Sequence, residues 1–382
     1  MSTNTANAAD PNPTKVTKVS HAPAGVPQYV LDYAPLVHLY SKELYNPANI
    51  ASQLENTRPQ ISYKDVAVAS TPLTLDNMDQ LNKLGTHGGL DVFLTSKVDI
   101  TTNPKWLNGV IPDASGKTNG VTSCAIIVND HGSGNVDVYY MYFYAFNWGG
   151  VVLGDQLGDH VGDWEHNMIR YKNGVPQYVW FSQHGNGEAF QYRVLKKDKD
   201  GKRVSHSAFI TTLLPPLSPN RFFLNPPHSP APPLPPSPQL ARPDHSLQPI
   251  VYSANGSHGN YATPGIHDHT FPNLNLSVPF LLTDKTDAGP LWDPTLAAYY
   301  YLYDAVKDTY TPYDPATPSA WLHYKGRWGD AQYPDSDKRQ KQLAGNRKFV
   351  GGPTGPWDKQ LNRKNVCPDN GLPCILRDDL GP

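Results

Sequence analysis

Asp155, Asp159, His160, Asp163, Glu165 and His166 crowd one short run, GDQLGDHVGDWEHNMIRY at residues 154–171, with Trp164 in its midst. Carboxylates and imidazoles at such density can hold a divalent cation, move protons, or simply hydrate a turn. Strand geometry sorts them. If 163–171 is extended, Asp163, Glu165, Asn167 and Ile169 share one face and Trp164, His166 and Met168 the other. Asn173-Gly174 then supplies a hairpin turn, since both residue types tolerate the positive φ of a type I′ turn. Pairing Lys172 with Val175 and counting outward sets Glu165 opposite Ser182 and Asp163 opposite His184. Residues so opposed have Cβ atoms about 4.5–5.5 Å apart on one face.

That register gathers Asp163, Glu165 and His184, and His160 in the preceding turn can fold over the same spot. Two neighbouring carboxylates repel unless a proton or cation intervenes. With one or two imidazoles they suit Ca²⁺, Mg²⁺ or Mn²⁺ ahead of Zn²⁺. Against this, Pro176 offers no amide hydrogen. A bulge there would shift the pairing by one and send His184 to the other face. The alternative is a turn in which Asp163 caps backbone amides and Trp164 is core. A second histidine-bearing stretch, SANGSHGNYATPGIHDHT, places His258 between small residues, which suits close approach to a ligand. His184 and His258 are therefore the candidate acid/base pair, while His267 and His269 read as solvent-exposed loop residues. G-x-S-x-G, C-x-x-C and glycine-rich phosphate motifs are absent.

The elements that must position these groups are strands. The chain has 382 residues, with 38 Pro, 30 Gly, 22 Tyr and 8 Trp but only 17% charged residues. That composition favours a β-rich, turn-rich fold. VTSCAIIV and VDVYYMYFYAFNW, joined by NDHGSGN, predict one hairpin, and DWEHNMIRY-KNG-VPQYVWFSQH a second, followed by a strand in EAFQYRVL. Helices are expected at 47–56 and at 294–308, and a strand or short apolar segment after Pro27. The fold class expected is mainly β: an antiparallel, jelly-roll-like sandwich with a few peripheral helices and long loops.

Residues 1–26 read as a disordered tail, 27–350 as one domain, and 351–382 as a loop-rich C-terminal tail. The proline-rich tract at 213–249 reads as an insertion that interrupts the domain. It is a surface excursion, a mis-set exon boundary, or a ligand for an SH3-like partner. Cys124 is expected as a buried thiol, and Cys367 with Cys374 could close a small loop in an oxidising compartment. Asn255 and Asn275 lie in glycosylation sequons. A net charge of −2 gives no electrostatic case for nucleic acid. No apolar run is long enough for a spanning helix. The N-terminus lacks the pattern of a secretory signal, which points to the cytoplasm, with vacuole association as the further expectation.

The segments GDHVGDWEH, YSKELYNP (with Glu43, Tyr45 and Pro47), VYSANGSHGNYATPG and Trp292-Asp293 together resemble the Vps62 family. The resemblance spans about residues 30–330 outside the proline tract. The H-x-x-D-W-E-H run is also similar to the heptapeptide of the necrosis-inducing, NPP1-type proteins, which carries a divalent metal on a β-sandwich. That similarity implies His160, Asp163 and Glu165 as metal ligands, His184 as the following histidine-glycine position, and His258 as a later histidine. It departs in having Gly162 for the second histidine and Asp159 for the leading glycine. The upstream acid has Asn147, Asp155 and Asp159 as candidates. Three functions follow as expectations. The first is a metal-dependent binding module for a sugar, lipid head group or other small polar ligand, bordered by Trp148 and Trp180. The second is an enzyme on the same site, hydrolytic or tailoring a natural product. The third is a vacuolar trafficking or scaffold protein acting through the proline tract.

Overall fold

The computed structural model describes residues 22–198, 247–268 and 283–380. Most of the proline tract, together with His269 and Asn275, lies outside the described residues. The N-terminal segment begins with a short helix, α1 (Gln28–Asp32), and then strand β1 (Leu36–His38). Helix α2 (Ile50–Asn56) forms where expected, with Asn49 capping it by accepting from the Ala51 amide.

The hairpins follow the turn signals. Strand β2 (Cys124–Gly132) returns as β3 (Asn135–Asn147), and β4 (His160–Lys172) returns as β5 (Val175–Gln183) through Asn173 at φ 51° and Gly174 at φ 75°. Strand β6 (Asn186–Gln191) completes a five-strand meander. Strands β7 (Ile250–Ser253), β8 (Asn260–Tyr261) and β9 (Leu291–Trp292) follow, then β10 (Ala298–Asp304), β11 (Thr309–Pro312) and β12 (Leu376–Arg377). The large sheet has the order β11-β10-β2-β3-β4-β5-β6-β12, and the small sheet β8-β7-β1-β9.

The two sheets bury a common core. Ile126, Tyr140, Tyr142, Tyr144, Ile169 and Phe181 of the large sheet meet Val37, Val251 and Trp292 of the small one. The large sheet's other face is covered too. Tyr139, Met141, Phe143, Trp164 and Trp180 pack against Ile50 and Leu54 of α2 and against Trp321 and Trp328. Burial on both faces explains why β3 is an almost unbroken apolar run instead of an alternating one.

The sandwich is mainly antiparallel, but three pairings are parallel: β1 with β7, β10 with β2, and β6 with β12. The helix expected at 294–308 is instead a single 3₁₀ turn, Pro294–Leu296, leading into β10. Tyr299, Tyr300 and Tyr301 favour extended backbone, and alternate side chains of the strand enter the two cores. Cys367 and Cys374 are disulfide-bonded, and Cys124 is a buried free thiol. Among the described residues no helix is long and apolar enough to cross a membrane.

Candidate functional site

The hairpin register is the first correction. Pro176 pairs with Tyr171, but Tyr178 pairs with Arg170, so Gln177 is the extra residue of a bulge. Asn167 therefore faces Phe181, where an unbulged hairpin would have set Trp180. The pairing of Asp163 with His184 is lost, and each finds another partner.

Asp163 projects toward the small sheet and meets the loop between β7 and β8. Its Oδ2 accepts from Nδ1 of His258 at 2.9 Å. The other ring nitrogen, Nε2, stands 2.8 Å from the Tyr45 carbonyl oxygen. A carboxylate and a carbonyl are both acceptors, so both nitrogens carry protons and the ring is an imidazolium. It lies flat on Tyr144, 3.7 Å between centroids at 4°. Burial works against this charge, but Asp163, Glu43 and the Tyr45 carbonyl carry the pKa above its ordinary value. Glu43 also fixes the loop, accepting from the Gly256 amide at 2.6 Å and from the amides of Leu44 and Tyr45.

His184 occupies the two-residue turn between β5 and β6. Its Nε2 donates to Oδ2 of Asp284 at 2.7 Å. Asp284 also accepts from Ser257 Oγ and Tyr261 Oη, each at 2.6 Å. Burial again opposes the charged ring, and Asp284, with Glu165 and Asp163 beyond it, raises the pKa. Both histidines sit on left-handed backbone, φ 56° at His184 and 57° at His258. A non-glycine residue is held there only where its surroundings over-determine it.

Glu165 accepts from Ser182 Oγ. That hydroxyl in turn accepts from the His166 amide at 2.7 Å. Burial, and then the adjacent Asp163 charge, push the Glu165 pKa up. His160 bonds the Gly162 carbonyl through Nδ1 at 2.7 Å, and burial lowers its pKa although Asp163 opposes this. Gly162 has a packing reason to lack a side chain: a Cβ there would stand 2.2 Å from the Trp328 carbonyl oxygen.

His160, Asp163, Glu165 and His184 thus share one electrostatic neighbourhood, but each has a polar atom engaged with a different partner. Among the described residues no three His, Cys, Asp or Glu side chains form a group able to hold a metal ion. Trp180 lies in the core on the opposite face, whereas Trp148 does border the site, packed against Gly256. His267 is buried, stacked on Tyr261 at 3.9 Å and bonded to Thr286, and is not a solvent-exposed loop residue. Asp159 is buried and accepts from the Gly149 amide, and Asn147, at the end of β3, donates to the Gly158 carbonyl. Asp155 pairs with Val152 in a short ladder. Asp284, Ser257 and Tyr261 went unnoticed in the sequence, where nothing in DKTD marks Asp284 as the partner of a histidine 100 positions away, and nothing in NGSHGNY marks Ser257 and Tyr261 as donors to Asp284.

Among known proteins, the chain is 36% identical over 364 residues to TDA6 of Saccharomyces cerevisiae (strain ATCC 204508 / S288c), whose name describes it as vacuolar protein sorting-associated. The match covers 91% of this chain and 69% of that protein. It is 32% identical over 353 residues to vacuolar protein sorting-associated protein 62 of the same yeast, covering 90% of this chain and 68% of the relative. The chain belongs to the Vps62 family. No family model and no solved structure matches it, and the similarity to NPP1-type proteins finds no counterpart among these relatives. The acid–histidine cluster described above is therefore a feature of a Vps62-family sandwich, built largely from the segments GDHVGDWEH, YSKELYNP and VYSANGSHGNY.

Proposed function

We propose that this Vps62-family protein has a sorting-related role at the vacuole, and that it binds a polyhydroxylated ligand, a sugar or a sugar-like lipid head group, at the cluster of Asp163, Glu165, His184 and His258. One observation carries the reading: a buried and a partly buried carboxylate–imidazole pair and a third buried carboxylate stand in one place, with both imidazoles on left-handed backbone. Buried ion pairs seldom stabilise more than apolar side chains of the same volume, so their retention suggests a task. The carboxylates of Asp163 and Asp284 each face an imidazole, those of His258 and His184. What remains is a mixture of donors and acceptors, the chemistry that hydroxyl groups satisfy in both directions. His184 and His160 are its partly exposed members and form the rim.

A divalent cation enters this reading only by displacing protons from Glu165 and the imidazoles, so its binding would release protons and weaken at low pH. A thermal-shift panel of neutral hexoses, myo-inositol, Ca²⁺, Mg²⁺, Mn²⁺ and Zn²⁺ tests the proposal. The expected result is a saturable rise in melting temperature with at least one polyhydroxylated compound, absent in His184→Gln. A response confined to the cations would replace the sugar-type ligand with a metal. No response to any of them would remove the binding role.

A further inference from the structure

A second unusual cluster lies on the other face of the large sheet. The C-terminal segment after the 3₁₀ turn Pro356–Asp358 is pinned to the sheet by side chains of β2, β3 and β4. Asn129 donates to the Leu361 carbonyl at 2.8 Å, Tyr139 to that of Gln360 at 3.2 Å, and Arg170 to those of Arg363 and Lys364. This segment carries Arg363 inward. Its guanidinium lies 5.3 Å from the centroid of the Tyr139 ring and 5.5 Å from that of Trp180. Nε, Nη1 and Nη2 are all buried, and none has a hydrogen-bond partner among the described residues.

Beside it, His166 extends from β4, its ring 6.1 Å from that of Tyr139 and near-parallel at 30°. Its Nδ1 and Nε2 are likewise buried and unpartnered. Arg363 is 6% exposed and His166 5%. Lys359 is a second positive charge near the ring, and burial, then the charges of Arg363 and Lys359, hold the His166 pKa below its ordinary value. The nearby carboxylate does not neutralise them, because Asp137 already binds Arg170 through both oxygens and His131 through one.

Each buried donor left unsatisfied costs stability, and more when charged. The aromatic faces offset part of that through cation–π attraction, but they accept no directed hydrogen bond. The element lacking is an oxyanion. A guanidinium offers five N–H groups and the imidazole one or two more, whereas a carboxylate presents about four lone-pair positions. A phosphate has more oxygens and matches the set better.

We propose that Arg363 and His166, with Lys359 beside them over the Tyr139–Trp180 floor, form a binding site for a phosphate group. The site is separate from the acid–histidine cluster, because β4 sends His166 to the face opposite Asp163 and Glu165. Burial of the Arg363 and His166 nitrogens favours free phosphate or a small soluble phosphate ester over a head group anchored in a bilayer. A bound phosphate would also tie the C-terminal segment to the sheet, so its occupancy would be read in the stability of the whole chain.

Titration of the full-length protein with inorganic phosphate, followed by melting temperature and calorimetry, tests the proposal. The wild type should show saturable binding and a rise in melting temperature. Arg363→Met, which keeps the aliphatic stem, should weaken phosphate binding about tenfold or more, since a hydrogen bond to a charged group is worth about 1.5–3 kcal/mol. Should that variant not fold, His166→Gln and Arg363→Lys are the second arm, and each should weaken phosphate binding measurably. Co-sedimentation with phosphatidylcholine vesicles containing phosphatidic acid separates the sources. Binding to those vesicles alone, lost in the Arg363 variant, assigns the site to a lipid phosphate. No phosphate-dependent change in the wild type by either route, or an equal change in all variants, overturns the site.

Discussion

Asp163 and His258 make the most consequential contact at the scale of single residues, because His258 has no exposure and both its nitrogens are committed. Removing one member of a buried ion pair typically costs about 3–5 kcal/mol. Asp163→Ala should therefore lower unfolding free energy by about that amount in urea denaturation, and Asp163→Asn by less, since an amide oxygen can still accept from Nδ1. The histidines also set a pH dependence. His184 and His258 have folded pKa values raised above the ordinary 6.5. Their stabilising contribution is complete below that value and is lost as pH rises through the raised ones. Each proton lost on this limb changes stability by about 1.4 kcal/mol per pH unit. Denaturation midpoints should fall above neutrality in the wild type, and Asp284→Asn should flatten that limb by removing the anion that holds the His184 proton. At this scale the sequence showed His160, Asp163, Glu165, His184 and His258 as candidates. It could not show which carboxylate belongs to which imidazole, because Asp284 and the Tyr45 carbonyl arrive from distant strands and loops.

Among the elements, the hairpin of β4 and β5 decides what the site contains. Its turn was legible because Asn-Gly carries a backbone preference in its own chemistry. The bulge at Gln177 was foreseeable only as the consequence Pro176 would have, and it moved the pairing by one. Gln177 is exposed, and Tyr178 already pairs with Arg170. Deleting Gln177 should therefore leave every downstream pair and the site intact, with a stability change within about 1 kcal/mol. A shift of β5 by one residue, seen as loss of the Phe181–Asn167 contact in nuclear Overhauser spectra, would contradict that reading. The 294–308 segment was misread for a different reason. Its spacing is compatible with a helix, and only the parallel pairing with β2, an interaction nearly 175 residues away in sequence, selects the strand.

The whole molecule is a sandwich whose large sheet is covered on both faces, which the alternation rule for a one-sided sheet does not anticipate. The described residues on either side of 199–246 meet at one place. The Asp198 amide donates to the Gln248 carbonyl at 3.2 Å, and the Leu36 amide to that of Pro249 at 2.9 Å. Gln248 and Pro249 thus belong to the fold. Replacing 213–246 with a short Gly-Ser linker should preserve the melting temperature within a few degrees, and a loss of cooperative unfolding would show that the tract is part of the core. The most direct test of the central claim is calorimetric titration of the intact protein with the polyhydroxylated compound that shifts its melting most, run with and without a chelator. The account predicts binding that survives the chelator and weakens about tenfold or more in both Asp163→Asn and His184→Gln. Binding that both variants retain unchanged would contradict it.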